Sequence, residues 1–281
     1  MPADVLAAVA AEPGVAKPDP VLVVDGVHRN YGGVRAVDVD HVEVQRGVIT
    51  SLIGPNGAGK TTLFNLLTGF DRPDGGTWSF DGRPVGRARP YQLATGGMVR
   101  TFQLTKTLSR MTVMDNMLLA APRQRGEHVL SALLPGRWRA QESANRDKAR
   151  DLLDRFKLDH LTDEFAGGLS GGQRKLLEMS RALMTDPTLV MLDEPMAGVN
   201  PALTQSLLGH ITSLREDGMS VLFVEHDMDV IMSISDWVVC MAEGQVIAEG
   251  RPADIAGNPA VIEAYLGYDH DDEDAPGEDE H

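Results

Sequence analysis

The chain has 281 residues, of which 42% are hydrophobic and 24% charged, with a formal net charge of −15. That is enough apolar material for one large domain or a core with a subdomain, and the acidic balance argues against gripping nucleic-acid phosphates as a main task. A lone cysteine, Cys240, cannot form an internal disulfide, which fits a reducing cytoplasm, and no run reaches the eighteen or so apolar residues needed to cross a bilayer; "VIMSISDWVVCMA" comes nearest and is interrupted by Asp236.

In chain order, residues 1–20 read as a disordered leader, too short in apolar run and lacking a basic start for a signal peptide. From Val21 to Leu52, the β-rich runs "VLVVDGV", "HVEV" and "VITSLI" are separated by glycine-containing turns. "ITSLIGPNGAGKTTLFNLLTG" then predicts strand, glycine loop and helix, and "GTWSFDGRPV" a hairpin. From Leu104 to Asp186 the pattern is mainly helical; in "ARDLLDRFKL", Ala149, Leu152, Leu153 and Phe156 share one helical face. Strand texture returns at "TLVMLDE", "SVLFVEH" and "WVVCMAEGQVIAEG", alternating with helices. The tail, 269–281, carries eight of the 41 acidic residues, leaving the rest near −7. Such a run repels itself and has little apolar surface to bury, so residues 268–281 are expected to be disordered.

Gly54, Pro55, Asn56, Gly57, Ala58, Gly59, Lys60, Thr61 and Thr62 fit the phosphate-loop pattern at every required position. Glycines let backbone N–H groups turn inward, and the following helix N-terminus favours an anion. Lys60 is expected to reach the β- and γ-phosphates, Thr61 to help hold Mg²⁺, and Thr62 to bond a phosphate. Asp193 and Glu194 end the apolar strand "LVMLDE": the first suits a Mg²⁺ contact, the second suits polarising an attacking water. His226 ends "SVLFVEH" and is a candidate γ-phosphate contact. "LSGGQ", Leu169–Gln173, is a second glycine cradle, with Ser170 placed to cap the helix "GGQRKLLEMSRALM" and leave N–H groups open to an anion.

These markers occur in a fixed order: an aromatic at Tyr31, the phosphate loop, Gln103, "LSGGQ", "LVMLDE", "AGVN" and His226. In that order they resemble the nucleotide-binding subunits of ATP-binding-cassette transporters over about residues 21–267. The resemblance implies an α/β fold: a P-loop (RecA-like) nucleotide-binding core, residues 21–103 and 187–252, with an antiparallel β region, an inserted α-helical subdomain at 104–186 and a C-terminal helical extension at 253–267. It also implies a head-to-tail dimer in which each ATP lies between one subunit's phosphate loop and the other's signature, so that Ser170, Gly171, Gly172 and Gln173 would meet the partner's nucleotide. Tyr31 would stack on adenine. Gln103 would sense Mg²⁺ or the attacking water, and Asn200, in "AGVN", would take part in cross-talk between the two sites. Asn200 departs from the aspartate commonest there, which weakens an acid–base role at that position.

Finer matches, "VRTFQ", "MTVMDNMLLAA", "EPMAGVNP" and "NPAVIEAYLG" among them, are similar to the ATPases of branched-chain amino acid importers. One departure is the first glycine of "LSGGQRK", often bulkier in that group. The implied partners are a second ATPase, identical or paralogous, transmembrane permease subunits and, indirectly, a substrate-binding protein, with no nucleic acid; the implied location is the cytoplasmic face of the membrane, peripherally. Met111, Met114 and Met117 suit either a packed core or an adaptable groove for the membrane partner. The alternatives are a lipopolysaccharide-export ATPase, which shares the "AYLG"-like ending but is disfavoured by "RTFQ", and a soluble cassette ATPase of DNA repair or translation, which usually carries two cassettes, coiled coils or zinc-binding cysteines.

Overall fold

The computed structural model describes residues 5–101, 108–122 and 135–271. They form two compact units, one of residues up to Pro90 together with those from Leu214 onward, the other Tyr91–Ser213.

The first unit contains two sheets. β1 (Pro20–Tyr31) and β2 (Val34–Gln45) form a long antiparallel pair, and β4 (Gly75–Phe80) and β5 (Arg83–Pro84) extend it in the order β2-β1-β4-β5. In the second sheet β3 (Ile49–Ile53) runs parallel to both β8 (Ser220–Val224) and β9 (Trp237–Ala242), and β10 (Gln245–Gly250) pairs antiparallel to β9. All five residues of β3 and of β8 are buried. A parallel strand covered on both faces is near-continuous in apolar residues rather than alternating, which is why "ITSLI" and "SVLFV" read as they do. α1 (Lys60–Leu67) follows β3; later come α7 (Met228–Ile234), α8 (Pro252–Ala256) and α9 (Pro259–Asp271).

The second unit opens with α2 (Pro90–Thr95) and holds a short parallel pair, β6 (Met98–Arg100) beside β7 (Leu189–Asp193). Its helices are α3 (Val113–Leu119), α4 (Pro135–Arg155), α5 (Gly171–Leu183) and most of α6 (Pro201–Glu216). α3, α4 and α5 pack on one another. Ala149, Leu153 and Phe156 are fully buried, with Leu152 half-buried beside them, the helical face expected from sequence.

Two expectations need correction. The leader is folded over at least residues 5–19: Leu6 is 1% exposed, the Arg251 guanidinium donates to the Leu6 carbonyl, and Val15 N–H donates to Glu249. The cause is Lys17, whose ammonium is fully buried, 2.8 Å from the Glu249 carboxylate and 4.6 Å from the centre of the Trp237 ring. An ion pair and a cation–π contact together compensate for removing that charge from water. At the other end, α9 continues to Asp271, four residues beyond the expected end of order at Gly267; the tail from residue 272 lies outside the described residues. In α3, Met114 (6% exposed) and Met117 (0%) are core residues, one of the two roles that the sequence left open. Among the described residues of this unit, the exposed large apolar side chains are Leu108, Leu119, Phe165 and Tyr91.

Candidate nucleotide-binding site

In the first unit, β3 delivers the chain into Gly54, and the loop closes on Gly59, which takes a left-handed conformation (φ 95°) as the N-cap of α1. No acidic residue stands in the first turn of α1, so its N–H groups and dipole face an incoming anion without a competing carboxylate. The Lys60 ammonium lies along the loop, donating to the Gly54 and Pro55 carbonyls at 2.6 and 2.8 Å. Thr61 is exposed and Thr62 half-buried. The loop is braced from behind: Gly244 N–H, in the β9–β10 turn, donates to the Ala58 carbonyl, and the Gly244 carbonyl accepts from Asp38 N–H. Gly54 (φ 145°) admits no side chain, since a Cβ there would stand 2.0 Å from the Met241 carbonyl oxygen. Its N–H donates to the Tyr265 hydroxyl oxygen at 3.0 Å.

Tyr31 ends β1 at 45% exposure. The Arg29 guanidinium carbon lies 4.8 Å from the ring centre, and the phenol donates to Asp71. Partial burial acts to raise the Asp71 pKa, but the Tyr31 hydroxyl, the Arg72 amide and the Arg29 charge outweigh it and hold the carboxyl below its usual value. The ring is therefore held in place by Arg29 and Asp71. His226 follows β8 as an exposed side chain, 3.7 Å from the buried Glu225 carboxylate.

In the second unit, Asp193 closes β7 at 5% exposure, and its carboxylate pairs with Arg100 of β6 at 2.6 Å. Glu194 follows at φ 45°, a left-handed turn for a residue with a side chain. With Thr101, Lys175, Glu178 and Pro195, these two carboxylates line a small pocket. Ser170 and Gln173 make a reciprocal capping box at the start of α5: the serine hydroxyl accepts from Gln173 N–H at 3.3 Å, and the Gln173 side-chain oxygen accepts from Ser170 N–H at 2.8 Å. The two signature glycines differ. A Cβ on Gly171 would meet nothing within 4 Å, whereas one on Gly172 would stand 1.8 Å from a Leu203 methyl carbon. A bulkier residue at the first position thus meets no obstacle at its Cβ, whereas one at the second would need the Leu203 side chain to turn aside. Asn200 caps α6, its side-chain oxygen accepting from Leu203 N–H at 3.0 Å; an amide oxygen serves that purpose as a carboxylate would.

Gln103 lies outside the described residues. Sequence reasoning missed Lys175, whose ammonium donates to the Pro195 and Ala197 carbonyls at 2.8 and 2.6 Å and so ties α5 to the turn after Glu194. It also missed Tyr265 and the Arg100–Asp193 pair. Arg100 was visible only as part of a group marker, because its partner is 93 residues away.

The description "ABC transporter" is that of the family model matching residues 37–197, which span the phosphate loop, the signature and the Asp193–Glu194 strand end. The chain belongs to this family. A second model, described as branched-chain amino acid ATP-binding cassette transporter, matches residues 245–271 of this ABC protein. A probable branched-chain amino acid transport ATP-binding protein LivG of Archaeoglobus fulgidus is 43% identical over 247 residues, 88% of this chain and 95% of the relative. The high-affinity branched-chain amino acid transport ATP-binding proteins BraF of Pseudomonas aeruginosa and LivG of Escherichia coli K12 are each 41% identical, covering 88% of this chain and 98% of their own. Among solved structures, the ADP conformation of an ATP-binding cassette of an ABC transporter matches with a TM-score of 0.76 at 37% identity, over 88% of this chain and 99% of that one. A nucleotide-free cassette matches at 0.75 and 38%, over 88% and 98%. The α/β nucleotide-binding fold expected from sequence is that of these cassettes, and the chain is an ATP-binding ATPase of the ABC family.

Proposed function

We propose that this ATPase powers the uptake of branched-chain amino acids by a membrane complex, working as a head-to-tail dimer at the cytoplasmic face of the membrane. The observation that carries the cargo class is the match of residues 245–271 to the branched-chain amino acid cassette model; the naming of relatives 41–43% identical supports it. Among the described residues no helix is long and apolar enough to cross a membrane, so a membrane-embedded path is assigned to permease subunits. Leu108, Leu119 and Phe165 are exposed apolar side chains that a permease would cover.

In this reading the phosphate loop and Lys60 bind the phosphates of ATP, Tyr31 stacks on adenine, and Thr62 bonds a phosphate. Ser170, Gly171, Gly172 and Gln173 of the partner chain close over the γ-phosphate, and Asn200 lies in the loop that senses the opposite site. Glu194 orients and polarises the attacking water, His226 contacts the γ-phosphate, and Gln103 reports the state of the site toward the permease. Thr61, Asp193 and Gln103 offer oxygen donors only, the set that a hard cation such as Mg²⁺ takes; when bound it neutralises charge on the phosphates. ATP binding closes the dimer and hydrolysis reopens it. Phosphoryl transfer of this kind asks the protein mainly for positioning and charge complementarity.

The reading is tested by isolating the chain from detergent-solubilised membranes of its host and reconstituting what accompanies it in proteoliposomes. Polytopic subunits, and ATP turnover stimulated by a binding protein loaded with leucine, isoleucine or valine, are the expected outcome. Soluble partners alone, from a well-extracted sample, would overturn the transport assignment.

A further inference from the structure

The floor of the phosphate loop and the C-terminal helix share one side chain. Gly54 is buried, and no residue with a side chain fits there because the Met241 carbonyl oxygen stands 2.0 Å from where a Cβ would be. A buried N–H needs a hydrogen-bond acceptor or it costs much of its hydration. The acceptor is the hydroxyl oxygen of Tyr265, at 3.0 Å and 211 residues away in sequence. The Tyr265 ring packs on the cluster of Ile53, Cys240, Ile255 and Val261, so the residue just before Gly54 and the helix carrying Tyr265 belong to one hydrophobic core.

We propose that Tyr265 is a positioning residue for ATP binding: its hydroxyl holds the Gly54 amide, and the docking of α9 thereby sets the affinity of the phosphate loop. The inference rests on the reading of residues 54–62 as the phosphate cradle, and extends it to a helix that does not belong to the loop. Burial, with the nearby Cys240, pushes the Tyr265 phenol up to about 12, while the bond from Gly54 pulls it down. The group is therefore a neutral hydroxyl throughout the working range, and its acceptor role does not titrate. Cys240, at the same point in the core, is likewise pushed up to about 12 by burial, with Lys60 acting the other way, and is a packed thiol rather than a nucleophile.

Tyr265→Phe keeps the ring in the core and removes only the oxygen. Equilibrium binding of ATP and steady-state turnover should be measured for the full-length chain well below its melting temperature, beside Ile255→Val, which thins the same core without touching the loop. The phenylalanine variant should bind ATP roughly three- to tenfold more weakly, the scale of one poorly satisfied buried amide. Its KM should rise by a similar factor, with kcat at saturating ATP nearly kept. Ile255→Val should lower Tm and leave the ATP Kd unchanged. Wild-type ATP affinity in Tyr265→Phe, with a normal loss in Lys60→Ala, would overturn the role of Tyr265 alone. Retained ATP binding in Lys60→Ala would instead overturn the phosphate-loop reading on which it rests. Equal loss of affinity in Tyr265→Phe and Ile255→Val would also overturn the proposal, because it would mark general loosening of the core.

Discussion

Asp193 and Glu194 are neighbours in sequence with different surroundings. Asp193 is buried and paired with Arg100, both about 5% exposed, while Glu194 is half-buried in a left-handed turn. The first is fixed by its ion pair with Arg100, and the backbone of the second is set in that turn. Glu194→Gln should bind ATP normally and lose almost all turnover, which a filter-binding assay beside phosphate release would show; equal turnover would remove Glu194 from the water-polarising role. Arg100→Met should destabilise the second unit by about 3–5 kcal/mol, because a buried carboxylate is left without its cation. Asp193→Asn added to it should recover part of that loss in denaturant unfolding, though not the activity. The place of Asp193 and Glu194 at the end of a buried strand was legible in "LVMLDE", because an unbroken apolar run stops at the two carboxylates. Arg100 and Tyr265 were not legible. Each acts on a residue far away in the chain, and nothing in local pattern or spacing encodes such a pairing.

At the level of elements, the parallel strands were readable because burial on both faces demands unbroken apolar runs, and α4 because its buried residues recur at helical spacing. The signature helix was readable from its cap. Ser170→Ala should cost about 1 kcal/mol in the stability of the second unit through the capping box, apart from any effect on turnover, and urea unfolding measures it. The methionines of α3 could not be assigned from sequence, since core and groove ask for the same flexible apolar side chain. A pH effect belongs here too. His210 of α6 stacks on Phe156, just beyond α4, at 4.4 Å. Burial lowers its pKa from 6.5, and Arg155 and Lys157 lower it further. Because the unfolded chain takes up this proton more readily, stability is fully present above pH 6.5 and falls as pH drops from there toward the depressed folded value. His210→Phe, which keeps the stack, should flatten that part of the stability–pH profile.

For the whole molecule, the two glycine cradles fall in different units: the phosphate loop in one, the signature in the other. If two chains combine head to tail, Lys60→Ala and Ser170→Arg disable opposite halves of each composite site. Either variant alone should be inactive, and a mixture should regain turnover, since mixed dimers carry one site with both halves intact. Failure to regain turnover in mixtures shown to exchange subunits would exclude the sandwich. The leader was the part of the chain that sequence misjudged most. Its composition looks unstructured, and the contacts that hold it down are remote in sequence: Lys17 pairs with Glu249, 232 residues on, and the Leu6 carbonyl accepts from Arg251.

That strap has an optical consequence. The Trp237 indole donates to Glu249 at 2.9 Å and carries the Lys17 ammonium over its ring. Release of the leader would take a positive charge off the indole and admit water to one face of it. The fluorescence of Trp237, isolated by replacing Trp78 and Trp138 with phenylalanine, therefore serves as a built-in gauge of whether the N-terminal segment is seated, readable in real time without attaching a dye.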